Sequence, residues 1–445
     1  MHDVRGRWAR HCSHCGAHLA VFLQISSQHM AMDEKSAVVI GAGMVGVSCA
    51  LYLQRAGHRV TLIDAHAPGS QTSFGNAATF ASYACIPVNH PKLLKNLPAL
   101  MTGAERPLSI SPIYGLRMLP WLFQFLRHCS RERVDQTISG LGALLRSSEA
   151  AALDLFKTAD GLDLIRRDGT VYLYSTESAL HSAQADIQRR REQGVRITDL
   201  SAVDIRDLEP HLAPTFAGGI LYDDGFHLLS PQAMIDRMVK HFVSEGGVWQ
   251  QDRITSIDSV DSHHVSVSGL AQSLQSRHVV IAAGAWSTKI QGGLIDSLPL
   301  ETERGYHVMF PSDASLLTRP VGLADAGLYI SPLADGLRAA GTVELAGLSA
   351  PPNQRRLEYI RRVVKKALPA SGHSGSTWLG FRPTLPDSLP VIGRSTRHPS
   401  IIYAFGHQHV GITLGGITGK LVQQLADDQQ PDIPLDPYRP DRFLN

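Results

Sequence analysis

The sequence predicts an α/β chain in which a discontinuous, Rossmann-like domain on a parallel sheet is interrupted by a second domain with a mixed, largely antiparallel sheet. Three observations carry that expectation. Ser36 to Asp64 reads as strand, glycine turn, helix and strand. Continuous apolar runs ending in glycine, HVVIAAG (His278 to Gly284) and SIIYAFG (Ser400 to Gly406), return far downstream, as inner strands of a parallel sheet do. Between these pieces, alternating segments with turn signals mark a sheet of another kind.

The first unit is a buried strand Ser36 to Ile40, a helix through Ala56 stopped by Gly57, and a second strand from His58 to Asp64. DGTVYLYS (from Asp168), GGILYDDGFHL (from Gly218), ERGYHVMFP (from Glu303) and GLYISPLADGLRAAGTVE (from Gly327) read as antiparallel strands, the last two joined by the turn LADG. SGLGALLRSSEAAALDLF and SPQAMIDRMVKHFVSEG read as amphipathic helices, the latter capped by Ser230 with Pro231 in its first turn. The expected boundaries are 1–35 for an extension outside the fold, 36–86, 215–290 and 375–433 for the nucleotide domain, 87–214 and 291–374 for the substrate domain, and 434–445 for a tail.

Composition narrows the classes. A chain of 445 residues favours two joined domains. With 43% apolar and 18% charged residues, it has an ordinary globular composition rather than a disordered one. Lys+Arg number 42 and Asp+Glu 40, a net +2 that gives no reason to expect nucleic acid as a partner. The cysteines Cys12, Cys15, Cys49, Cys85 and Cys129 are odd in number and scattered, so a reducing cytoplasm is expected rather than a disulfide framework.

Ile113 to Cys129 (IYGLRMLPWLFQFLRHC) is broken by Arg117, Pro120 and Arg127. It is expected to form a buried helix pair, with peripheral contact to the inner face of a membrane as the second reading. The N-terminal stretch has too short an apolar run, AHLAVFLQ, for a secretory signal. Its HCSHCGAH lacks the second ligand pair of a zinc site, so no metal is expected. It reads as disordered or spurious, with Met30 or Met32 as a sensible start.

VVIGAGMVGVSCALYLQRAGHRVTLID carries the chemistry of a dinucleotide site. Gly41 permits the tight turn after the strand, Gly43 admits a pyrophosphate, and Gly46 lets helix and strand pack closely. The helix N-terminus at Met44 and Val45 offers free N–H groups to phosphate. Asp64, at the end of the second strand, can accept hydrogen bonds from an adenosine ribose and repels a 2′-phosphate. The motif alone does not separate FAD from NAD.

Three further segments bear on that choice. PGSQTSFGNAATF follows Asp64; LGFRPTLPDSLPVIG runs from Leu379 to Gly393; FGHQHVGITLGGITGK runs from Phe405 to Lys420. Together they resemble the FAD and substrate segments of the D-amino acid oxidase and dehydrogenase family, over nearly everything from Ser36 to about Asp428. TERGYHVMF, LYDDGFHLLSPQAM and GTVELAG look most like the D-amino acid dehydrogenase branch, some members of which act on hydroxyproline.

The resemblance implies FAD, held by Gly41, Gly43, Met44, Val45, Gly46, Asp64, Ala65, Ser73, Asn76, Ala77, Ile254, Ala283, Gly284, Gly411, Ile412, Thr413 and Leu414, with His407 and His409 at the flavin edge. Relatives with covalent flavin use a cysteine near the arginine segment; no cysteine follows Cys129 here, so non-covalent FAD is expected. Arg382 is expected to fork onto the carboxylate of a small amino acid, with Tyr306 and His307 as further catalytic candidates. The implied chemistry is hydride transfer from Cα to flavin N5, giving an imine and then an oxo acid and ammonia. The electron acceptor (oxygen, a quinone or a carrier protein), chirality and oligomeric state stay open. A cyclic amino acid or sarcosine is the alternative substrate. An NAD dehydrogenase or an electron-transfer subunit is the alternative class.

Overall fold

The computed structural model describes residues 35–89, 108–110 and 112–444. The N-terminal stretch with Cys12, Cys15, Met30 and Met32 lies outside them.

Ser36–Ile40 is the third strand of a six-stranded sheet. Arg59–Asp64 and His278–Ile281 flank it in parallel, Val248–Gln251 and Ile401–Phe405 extend it in parallel, and Val391–Arg394 closes one edge antiparallel. Helices Met44–Arg55, Pro231–Ser244 and Gly411–Ala426 cover one face. A three-stranded antiparallel sheet covers the other, packing Ile257, Val265 and Val267 on Val38, Ile40, Val279 and Ile281. Burial on both faces is why these strands read as unbroken apolar runs. The first helix is tightly seated: Leu51 and Leu53 are buried, and truncating either to Ala would cost about 2–5 kcal/mol.

The second sheet has nine strands. Thr377–Thr384 forms one edge, followed by Glu301–Phe310, Gly336–Leu345, Leu328–Leu333, Val321–Leu323, Thr170–Tyr174, Gly218–Tyr222 and Ile197–Ser201, while Leu108–Ile110 pairs with Gly336–Leu345. Two pairings are parallel and the rest antiparallel. Tyr306, Val308 and Phe310 pack with Leu357, Ile360 and Val364 of helix Gln354–Ala367. Because successive strand residues point to opposite faces, Glu303, Gly305 and His307 look the other way. His307 there meets the loop after Arg59–Asp64, donating from Nδ1 to the Gly75 carbonyl at 2.9 Å.

Several expectations need correction. Gly218–Tyr222 and Thr377–Thr384 lie in the nine-stranded sheet, so neither 215 nor 375 is a boundary between sheets. Phe226–Leu228 leaves that sheet for a small one with Thr79–Phe80 and Ile165–Arg166. Helix Arg131–Thr158, expected in the substrate domain, places Leu141, Leu144 and Leu145 against Leu414, Ile417 and Leu421 of Gly411–Ala426. The expected tail is docked: Tyr438 is fully buried and donates to the Gly140 carbonyl, and Arg442 pairs with Asp387.

The pair of helices Pro112–Arg117 and Leu119–Arg127 is not buried. Met118, Trp121, Phe125 and Cys129 face inward, but Leu116, Leu119 and Phe123 are 72%, 55% and 64% exposed. The break near Met118 and Pro120 leaves short amphipathic pieces on the surface. Among the described residues no helix is long and apolar enough to cross a membrane.

Candidate active site

The glycine turn opens a cavity of about 550 Å³, lined by Gly41, Gly43, Met44, Asp64, Ala65, Ile254, Ala283 and Gly284 among others. Gly41 has φ +110°, and a Cβ on Gly46 would stand 1.8 Å from the Gly41 carbonyl oxygen. Only glycine fits either position without moving backbone. Asp64 accepts from the N–H groups of Ala42 at 2.7 Å and His66 at 2.9 Å, which fixes its carboxylate at the cavity wall.

A second cavity of about 390 Å³ shares the walls Met44, Val45, Thr72, Ser73, Gln408 and Gly411 with the first and runs on to the nine-stranded sheet. The loop between is pinned from both sides. Thr72 donates to the Phe381 carbonyl, Ser331 to that of Ala77, and Arg338 to those of Phe74 and Asn76. Trp378 lies against Gly75 and Gly380, where any Cβ would collide with its ring.

At the sheet end, Arg382 and Glu303 stand opposite one another in register. Arg382 Nη1 donates to the Thr342 carbonyl at 2.9 Å. Thr342 holds φ +58°, which is costly for a β-branched residue, and its buried hydroxyl has no partner among the described residues. Burial pushes the Glu303 carboxyl above its ordinary value, while Arg382 pulls it down. Burial likewise lowers Arg382, and Glu303 opposes this. His409 lines the cavity, where the surrounding protein and then Arg382 lower it to about 4. Its imidazole is therefore neutral near pH 7.

The cofactor residues expected from the sequence divide into two groups. Gly41, Gly43, Met44, Val45, Asp64, Ala65, Ser73, Asn76, Ala77, Ile254, Ala283, Gly284, Gly411 and Ile412 line one cavity or the other, as do His407 and His409. Gly46, Thr413 and Leu414 line neither. Gly46 packs under the turn, Thr413 Oγ1 accepts from Ala81 N–H, and Leu414 is fully buried in a core cluster.

Tyr306 and His307 are both tied up in contacts within the protein. Tyr306 lines the second cavity, while its hydroxyl donates to Glu344 Oε2 and accepts from Asn353 N–H. His307 stacks on Trp378 at 5.4 Å and lines neither cavity. It holds the Gly75 segment instead.

Two residues escaped the sequence reading. Glu303 is one. Gln408 is the other: buried, at φ +47°, lining both cavities, with Nε2 unpartnered among the described residues. No side chain caps Gly411–Ala426, so its first-turn N–H groups stand open beside Gln408. An orphaned amide donor, an uncapped helix start and a glycine cradle suit the polar edge and the phosphates of a flavin dinucleotide.

The family of FAD-dependent oxidoreductases called DAO matches residues 36–425. The chain belongs to that family. It is 35% identical to a D-amino-acid oxidase of Bradyrhizobium diazoefficiens over 93% of this chain and all of the relative. It is 29% identical to a D-amino acid dehydrogenase of Vibrio vulnificus over 91% of this chain and 99% of that one. Among solved structures, glycine oxidase from Geobacillus kaustophilus superposes with a TM-score of 0.70 at 20% identity, covering 92% of this chain and 99% of that one. As a DAO-family member the protein is an FAD-dependent oxidoreductase acting on amines or amino acids.

Proposed function

We propose that the enzyme oxidises the C–N bond of a small amino acid, of D configuration, held over the flavin by Arg382. One observation carries the reading: a half-buried cation and a buried acid, Arg382 and Glu303, face the same cavity from adjacent strands. That pair matches the two charged ends of an amino acid. Arg382 spends one donor on Thr342 and has others left for a carboxylate. Glu303, raised by burial, is the acceptor for an ammonium proton, so that the amine reacts in its neutral form.

Bound FAD supplies the two-electron acceptor. The chain supplies orientation and exclusion of water. Trp378, Val45 and Ile412 wall the cavity with apolar surface, and the N-terminus of Gly411–Ala426 offers a positive dipole end. The D configuration is supported by the curated relatives, both named for D-amino acids.

The test is anaerobic mixing of FAD-loaded enzyme with D- and L-amino acids, both hydroxyproline series, glycine and sarcosine, while the flavin absorbance is followed. Small D-amino acids are expected to bleach it fastest. A flavin that dithionite reduces but no amine does would refute the reading.

A further inference from the structure

The substrate cavity carries a second cation. Arg190, in the last turn of helix Glu177–Glu192, lines it together with Tyr83, Tyr172, Tyr222 and Tyr329. Arg382 stands on one edge strand of the nine-stranded sheet, whereas Tyr329 is on the third strand from it and Tyr172 and Tyr222 are farther still. At ~4.8 Å per strand, the Tyr329 strand lies roughly 14 Å from the Arg382 strand, although the Arg382 guanidinium itself reaches Thr342 on the strand beside Tyr329. Arg190, against Tyr222, stands farther along the same cavity, beyond that guanidinium.

The partners of Arg190 leave its charge uncompensated. Nε and Nη1 donate to the carbonyls of Tyr83 and Asp186, each at a long 3.3 Å. The guanidinium stands 6.0 Å from the Tyr222 ring centroid, at the outer limit of a cation–π contact. Among the described residues no carboxylate forms an ion pair with it. Tyr83, only 3% exposed, stacks on Tyr222 with centroids 3.7 Å apart and points its hydroxyl at Tyr329. A guanidinium held without an anionic partner is costly unless a ligand meets it.

We infer that Arg190, within the belt of Tyr83, Tyr172, Tyr222 and Tyr329, forms a distal anion subsite, and that the preferred substrate is an extended amino acid bearing a second carboxylate at its far end. The inference rests on the amino acid oxidation proposed above. Arg382 takes the α-carboxylate, and the distal carboxylate reaches Arg190.

Flavin reduction by D-glutamate and D-2-aminoadipate, compared with D-glutamine and D-norleucine, tests it on the FAD-loaded enzyme. The acids are expected to lead in kcat/KM by about 10- to 100-fold, the scale of a charge-assisted contact. In Arg190→Gln that acid-to-neutral ratio should collapse by about tenfold or more, with partial recovery in Arg190→Lys. Equilibrium binding, read as perturbation of the flavin spectrum, should favour glutarate over butyrate in the wild type and lose that preference in Arg190→Gln. Neutral substrates oxidised as well as acids, or equal loss for both classes on mutation, would overturn the subsite while leaving amino acid oxidation standing. Failure of every amino acid to reduce the flavin would remove both.

Discussion

A Cβ built on Gly305 would stand 2.3 Å from Arg382 Nη2. The guanidinium thus occupies the space that a side chain one strand away would fill. Gly305→Ala should push Arg382 off the Thr342 carbonyl and lower kcat/KM for amino acids by about tenfold or more, with FAD content retained. Unchanged kinetics would mean that the position of Arg382 is not set by Gly305.

Arg382 itself is the sharper test. Arg382→Leu should lower kcat/KM by about 10- to 1000-fold, because it removes a charge-assisted contact and leaves Glu303 buried without its cation. Arg382→Lys should be milder but still poor, since a point charge cannot reproduce the fork. Titrating an amino acid and its carboxamide on wild type and Arg382→Leu decides the role. A penalty falling equally on both, or falling mainly on FAD occupancy, assigns Arg382 to structure.

Heat or acid should release the yellow chromophore into the supernatant. Cys49, Cys85 and Cys129 are buried and none follows in the chain. Colour that sediments with the precipitated protein would show a covalent bond instead.

Four buried histidines tie stability to pH. Burial lowers His227 and His307 to about 4, and His278 and His407 to about 3, from 6.5. Between pH 6.5 and about 4 the unfolded chain takes up these protons and the folded chain does not. Their contribution is complete above pH 6.5 and declines as pH falls, by up to about 1.4 kcal/mol per pH unit for each imidazole. The Tm at pH 5 should lie below that at pH 7.5 by about 5 °C or more. A Tm that is flat or rises over this range contradicts the assignment.

The dinucleotide site was legible because its information is local: Gly41 to Asp64 holds turn, helix start and acid in one run. The Arg382 segment was legible for the same reason. Glu303 was hidden because it meets Arg382 only through strand register, across 79 positions of chain. The partners of the Tyr306 hydroxyl, Glu344 and Asn353, were not legible either, because they come from a neighbouring strand and a helix cap. Gln408 and Arg190 carry no pattern at all; each matters only through what the fold places beside it. Ile113 to Cys129 misled by overall hydrophobicity, whereas its exposed Leu116, Leu119 and Phe123 alternate with buried neighbours.

The position of Ile401–Phe405 inside the parallel sheet, beside His278–Ile281, has a consequence for biosynthesis. A ribosome has made the first 400 residues before that strand exists, and helix Gly411–Ala426 follows it. Until then the nascent protein exposes an unpaired strand edge and an open apolar face, the features that invite aggregation. Nonsense mutations before the end of helix Gly411–Ala426 should therefore leave an insoluble product without flavin, not a weakened enzyme.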